Sequence, residues 1–282
     1  MNILYCGDSN IADGVVISVL SLLDNAKEPL NIYVLTARIE SDVGVCRPLT
    51  SDFEAFLLTE VKKRSPRSSV TLTDISDRLK NELPTANMKT RFTPCCMLRL
   101  FADTVSEIPD KILYLDNDVV CRSDPSHLYY TDVSGRDLCG VLDNYGGWLF
   151  YCGHVKRNYI NSGVLLLNMA RIRENRLFER CRALCRDKKM FMPDQSALNK
   201  LSSSKMLCER KYNEQKKERE NTVFRHFTTS FKFFPIFRKI SVKPWDEKGM
   251  HEILKTHEYD RLISEYKRLK MSSDDFTKEI TL

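Results

Sequence analysis

Lys111-Ile112-Leu113-Tyr114-Leu115-Asp116-Asn117-Asp118-Val119-Val120 is the stretch on which the reading of this chain turns. An apolar strand runs into two carboxylates at positions i and i+2, and in extended backbone those side chains share one face. Like charges held that close repel, so a compensating group is needed. A divalent cation supplies it, and hard oxygen ligands suit Mg²⁺ or Mn²⁺. The competing reading is that the acids cap a turn or a following helix, since an Asp-x-Asp pair is common by chance. The apolar strand before the pair favours the metal.

Outward from this strand the pattern alternates. Upstream, Asn2 to Cys6, Leu30 to Leu35 and Ser69 to Leu72 read as strands. Ile11 to Leu23, Ser51 to Lys63 (with Ser51 as N-cap) and Pro94 to Val105 read as helices between them. Downstream, Leu138 to Leu142 and Gly163 to Leu167 read as strands. Met169 to Asp187 and Asp194 to Leu201 read as helices, and residues 205–220 as a solvated helix or loop of mixed charge. Such alternation predicts an α/β fold, a mostly parallel mixed sheet covered by helices. Ligands of such sheets bind at the carboxyl ends of the strands.

The 282 residues carry 44 Lys+Arg against 38 Asp+Glu, a net charge of +6. The length fits one large domain at ~100–200 residues per domain. The expected division is a catalytic domain over 1–230 and a helical extension over 231–282 that packs on it. The longest uncharged apolar run, Gly14 to Leu23, is too short for a bilayer, which needs about 20 residues. Met1-Asn2 leads straight into Ile3-Leu4-Tyr5, so no signal peptide is expected. The cysteines contain no C-x-x-C pair, and Cys6, Cys121 and Cys139 lie in or beside apolar runs. They are expected to be buried thiols in a reducing cytosol rather than disulfides or zinc ligands.

The first strand ends in Cys6-Gly7-Asp8-Ser9-Asn10. This turn is neither a P-loop nor a G-x-G-x-x-G loop. An Asp at this point can read a base or sugar edge by hydrogen bonds, or Asp8 or Asn10 can cap the following helix.

Taken in order, these pieces resemble a family 8 retaining glycosyltransferase of the GT-A fold, the group of bacterial lipopolysaccharide galactosyl- and glucosyltransferases and glycogenin. The resemblance is carried by Ile3 to Asn10, Lys111 to Val120 and Gly140-Val141-Leu142-Asp143. It continues through Tyr159 to Asn168, Pro193-Asp194-Gln195, His226-Phe227-Thr228 and Lys243-Pro244-Trp245. It implies a UDP-sugar donor, UDP-glucose or UDP-galactose, and a Mn²⁺ (or Mg²⁺) ion held by Asp116, Asp118 and His226. Asp8 would accept from the uracil N–H, with Asn10 nearby and Asn117 at the ribose. Asn161, Asp194 and Gln195 would hold the sugar, and Asp143 would sit near the sugar and the acceptor hydroxyl. The implied acceptor is a saccharide or a lipid-linked glycan. The implied setting is cytoplasmic, peripheral at the inner face of the membrane.

Two positions depart from the family pattern. The family lysine lies six residues after the histidine and directly before Pro-Trp; Lys232 has the spacing and Lys243 the context. The family arginine before the Asp-x-Asp strand aligns with Met97. Arg99, two residues on, is expected to point off that helix face, which leaves Arg91 as a substitute. The charge excess is late, with ten Lys/Arg against six Asp/Glu over 231–270. Its aromatic and cationic start, Phe231 to Lys239, reads as core packing, as contact with an anionic membrane, or as base stacking. Core packing is favoured, and no nucleic-acid partner is expected. Two rival functions remain at this stage. A nucleotidyltransferase would carry a basic Gly-rich loop after its first strand, which Gly7-Asp8-Ser9-Asn10 lacks. An inactive nucleotide-sugar-binding protein would have lost the ligand set.

Overall fold

The computed structural model describes residues 1–41, 44–89, 94–145, 158–232 and 238–272. The strands in chain order begin with β1 (Asn2–Cys6), β2 (Asn31–Thr36), β3 (Ile39–Ser41), β4 (Gly44–Cys46), β5 (Ser69–Asp74), β6 (Lys111–Leu115) and β7 (Val119–Cys121). They continue with β8 (Leu138–Leu142), β9 (Ile160–Asn168), β10 (Lys205–Leu207), β11 (Phe224–His226), β12 (Ser230–Lys232) and β13 (Arg238–Ile240). Seven of them form one sheet in the order β10-β8-β9-β6-β1-β2-β5. Every neighbouring pair is parallel except the two that β9 makes with β6 and β8.

Side-chain alternation builds a core on each face. Along β1, Ile3 and Tyr5 enter one apolar cluster and Leu4 the other; along β6, Leu113 and Leu115 part from Ile112 and Tyr114 in the same way. The first face is covered by α1 (Ala12–Asn25), α2 (Ser51–Arg64) and the C-terminal helix Asp260–Ser272. The second is covered by the segment Pro94–Thr104 and the helices Leu177–Asp187 and Pro193–Leu201. The C-terminal helix buries Leu262, Ile263, Tyr266 and Leu269 in the cluster that holds Ile3 and Tyr5. Full burial of one such side chain stabilises by roughly 1.5–3 kcal/mol, so the extension shares the sheet's core.

Several sequence expectations need correction. The α2 cap is Thr50, one residue before Ser51, with its hydroxyl accepting from the Phe53 amide at 3.5 Å. Met169 to Asp187 is two helices, because Arg176 takes a left-handed conformation (φ 54°). Pro94–Thr104 winds as a 3₁₀ helix rather than an α-helix. Residues 205–220 are not a solvated run throughout: Asn213, Glu214 and Gln215 are buried. A disulfide joins Cys139 to Cys208, contrary to the expectation of thiols alone. Parallel pairing of β10 beside β8 brings these residues together from 69 positions apart, a proximity that local spacing cannot show.

Candidate functional site

The strand directions gather the polar residues at one edge of the sheet. Asp8 follows β1, Asp116 follows β6 and Asp143 follows β8, all parallel strands that end on the same side. β9 runs the other way, so its start, Asn161-Ser162-Gly163, lies at this edge too. The register Leu115↔Val164 sets Gly163 beside Asp116, whose amide donates to the Gly163 carbonyl at 2.8 Å. Antiparallel pairing of β7 with β11 sets His226 opposite Val119, directly after Asp118. A cleft of about 470 Å³ opens here, lined by Asp8, Asp116, Asn117, Asp118, Asp143, Asn161, Asp194, Gln195, His226 and Lys243 among others.

Asp116, Asp118 and His226 each offer a ligand atom, all within 4.8 Å of one another. The His226 Nε2 stands 3.1 Å from Asp118 Oδ1 and 3.6 Å from Asp116 Oδ2. Three observations fit a divalent ion among them. Asp118 Oδ1 is buried and makes no hydrogen bond, which is costly for a carboxylate oxygen. Gly163 leaves room: a Cβ there would meet His226 Cε1 at 2.1 Å and Asp116 Oδ2 at 2.8 Å. The donor set, two carboxylates and an imidazole, suits Mn²⁺ or Mg²⁺, with the imidazole favouring Mn²⁺. Burial pushes the Asp118 carboxyl up, but the Lys243 ammonium beside it outweighs burial and holds the group below the ordinary carboxylate range. Two other clusters occur among the described residues, Asp8–Cys46–Cys95 and His251–His257–Asp260, neither of them at the Asp-x-Asp strand.

On the opposite wall, Gln195 Oε1 accepts from the Ser162 amide at 2.9 Å and from its hydroxyl at 3.2 Å. The Gln195 amide nitrogen faces Asp143 Oδ2 at 3.3 Å. Asn161 donates to the same carboxylate oxygen at 2.8 Å. Asp8 is buried and does not cap the helix; it accepts from the exposed Asn10 at 2.8 Å. Asn117 packs against α1 at Gly14, where a Cβ would meet its backbone oxygen at 2.4 Å.

The cations differ from expectation. Arg99 does not point off the site. It is buried, with Nη2 2.9 Å from Asp116 Oδ1, Nε 3.1 Å from Asp194 Oδ2 and Nη1 2.6 Å from the Ser162 carbonyl. The 3₁₀ helix turns once in three residues, so Cys96 and Arg99 share the face toward the cleft. Met97 faces the apolar core instead. Lys243 donates to Asp118 Oδ2, and to the Phe227 carbonyl at 3.1 Å. The backbone of Lys232 lies in β12, while its side chain and Arg91 lie outside the described residues. Sequence reading missed Ser162, Asn213 and Gln215. Gln215 accepts from the Asn144 amide at 3.0 Å and so braces the loop that carries Asp143. No described helix is long and apolar enough to cross a membrane.

The family model "Glycosyl transferase family 8" matches residues 2–248. A lipopolysaccharide 1,2-glucosyltransferase of Escherichia coli is 24% identical over 302 residues, 92% of this chain and 83% of its own length. Its counterpart in Escherichia coli strain K12 is 27% identical over 76% of this chain, which spans 62% of that relative. Among solved structures, the galactosyltransferase LgtC in complex with donor and acceptor sugar analogues superposes with a TM-score of 0.66 at 17% identity, covering 96% of both chains. An active-site variant of LgtC reaches a TM-score of 0.69 with the same coverage. The fold is therefore the GT-A fold that the sequence implied.

Proposed function

The chain belongs to glycosyltransferase family 8, and on that premise we propose that it moves glucose or galactose from a UDP-sugar to a saccharide or lipid-linked acceptor, with retention and with Mn²⁺ or Mg²⁺. The observation that carries the reading is the convergence of Asp116, Asp118 and His226 within 4.8 Å beside Lys243. The similar proteins, a glucosyltransferase and a galactosyltransferase, support these two hexoses.

The bond to be broken joins an anomeric carbon to a phosphate oxygen. Negative charge grows on the leaving diphosphate and positive charge on the sugar ring. A divalent ion at Asp116, Asp118 and His226 would supply Lewis-acid stabilisation of that negative charge. Lys243 would turn from Asp118 to the diphosphate and neutralise the same charge. Asp8 would accept from the uracil N–H, with Asn10 holding its carboxylate and Asn117 at the ribose. Asp143, Asn161, Asp194 and Gln195 would fix the sugar. Retention can proceed through a carboxylate nucleophile, but Gln195 Oε1 is engaged by Ser162 and Asp194 is paired with Arg99. These contacts support a same-face displacement within a tight ion pair. A covalent sugar trapped on Asp194 would overturn it.

The proposed setting is the cytoplasm, against the inner face of the membrane where a lipid-linked acceptor presents its glycan. The test of function is a thermal-shift panel of UDP-sugars with and without Mn²⁺. A ligand at a hundredfold over its Kd stabilises by about 2.7 kcal/mol. UDP-glucose or UDP-galactose is expected to raise Tm only with the ion present, and Asp118→Asn is expected to abolish the effect. Absence of a response to every uridine ligand, or release of pyrophosphate instead of UDP on turnover, would defeat the proposal.

A further inference from the structure

Asn213 lies behind the site, fully buried, in the run between β10 and β11. Its side chain closes a chain of hydrogen bonds across the cleft floor. His226 Nδ1 meets Asn213 Oδ1 at 3.1 Å, Asn213 Nδ2 meets Asn161 Oδ1 at 2.9 Å, and Asn161 Nδ2 meets Asp143 Oδ2 at 2.8 Å.

The direction of every link follows from two fixed ends. The Gly163 backbone N–H can only donate, and it donates to Asn161 at 3.0 Å. The Asn161 atom it reaches must therefore be the oxygen. The Asn161 nitrogen then faces Asp143 Oδ2, which accepts from it. Asn213 must offer its own nitrogen to the Asn161 oxygen. That leaves the Asn213 oxygen for His226, so the ring atom opposite it, Nδ1, must carry a proton. In a neutral imidazole the lone pair is then on Nε2, the atom that faces Asp116 and Asp118.

Without this chain the local preference runs the other way. Asp118 Oδ1 lies 3.1 Å from Nε2 and would draw the single proton there, into the place an ion needs. We infer that Asn213, oriented by Asn161 and the Gly163 amide, is a positioning residue that fixes the His226 tautomer and keeps Nε2 open as a metal ligand. The inference rests on the proposed metal reading and adds a device that ties the metal side of the cleft to Asp143 on the sugar side. Partners of ligating histidines of this kind are worth about 10–100-fold in metal affinity.

The test uses the full chain labelled with ¹⁵N histidine, without metal, at about pH 9, well above an ordinary imidazole pKa of ≈ 6.5. Two-bond ¹⁵N–¹H correlations report which ring nitrogen of His226 is protonated, and free Mn²⁺ measured by EPR gives the affinity. The wild type is expected to show the Nδ1–H tautomer. Asn213→Leu, which keeps the branched shape and removes both links, is expected to move the proton to Nε2 and weaken Mn²⁺ about 10–100-fold. Asn213→Asp, which keeps an acceptor for Nδ1–H but loses the donor to Asn161, is expected to retain the tautomer and to bind Mn²⁺ more tightly than Asn213→Leu. A metal-free thermal melt of each variant separates loss of fold from loss of ligand geometry. An Nε2–H signal in the wild type, or a folded Asn213→Leu protein with unchanged tautomer and affinity, would overturn the inference. A wild type with the Nδ1–H signal and no Mn²⁺ binding would instead remove the metal reading and leave the tautomer assignment standing.

Discussion

Gly163 has no room for a side chain. The methyl of Gly163→Ala would sit 2.1 Å from His226 Cε1, so the ring must swing away from Asp116 and Asp118. The expected result is a folded protein whose Mn²⁺-dependent rise in Tm is lost, read in the same thermal-shift panel. Arg99 makes a different demand. It is a buried cation between Asp116 and Asp194, and removing one partner of such a set costs about 3–5 kcal/mol because Asp194 is left buried without its cation. Arg99→Leu is thus expected to lower unfolding free energy by that amount in urea titration, a loss that Arg99→Lys repairs only in part because an ammonium cannot bridge both acids as the guanidinium fork does. The two aspartates were readable in the sequence because they follow an apolar strand, although they close a turn instead of continuing it: the Val119 amide donates to the Asp116 carbonyl at 3.1 Å. The aim of Arg99 was not, since two residues along a helix mean different directions in α and 3₁₀ geometry. Asn213 was hidden for another reason: a buried amide in Lys211-Tyr212-Asn213-Glu214-Gln215-Lys216-Lys217 looks like part of a solvated charge run.

Elements were easier to read than the contacts between them. Period-two alternation on β1 and β6 and apolar stripes on α1 and α2 follow from the backbone alone. The pairing of β7 with β11 joins residues about a hundred positions apart, and nothing local in three residues of strand announces it. The placement of His226 came from a family resemblance rather than from the periodicity. The C-terminal helix Asp260–Ser272 lies between these cases: its stripe was visible, but not the core it enters. Ile263 is fully buried there beside α1. Ile263→Ala is expected to destabilise by about 2–5 kcal/mol, measured as a lower urea midpoint, with activity per folded molecule unchanged. If the extension were a separate unit, a second, earlier transition would appear and the main midpoint would hold.

For the whole molecule, the late charge excess raises the question of a membrane. Apolar insertion needs apolar side chains to spare, and Tyr259, Leu262, Ile263, Tyr266 and Leu269 are already spent on the core. What the described extension offers to a surface is mostly charge, beside the exposed Ile253 and Met271: Lys239, Lys248, Lys255, Arg261 and Lys267 among them, on a chain of net +6. Several of these are partly neutralised, as Arg261 is by Asp24 and Lys267 by Glu247. A basic residue near an anionic leaflet contributes about 1 kcal/mol, and the attraction fades over a Debye length of ≈ 8 Å at physiological salt. Association with membranes should therefore be electrostatic and weak. In flotation, vesicles rich in phosphatidylserine are expected to carry the protein at about 0.02 M salt and to release most of it by about 0.15 M, while neutral vesicles carry none. Equal recovery on neutral vesicles would mean that aromatic side chains enter the lipid, and the assignment of this extension to the core would have to be given up.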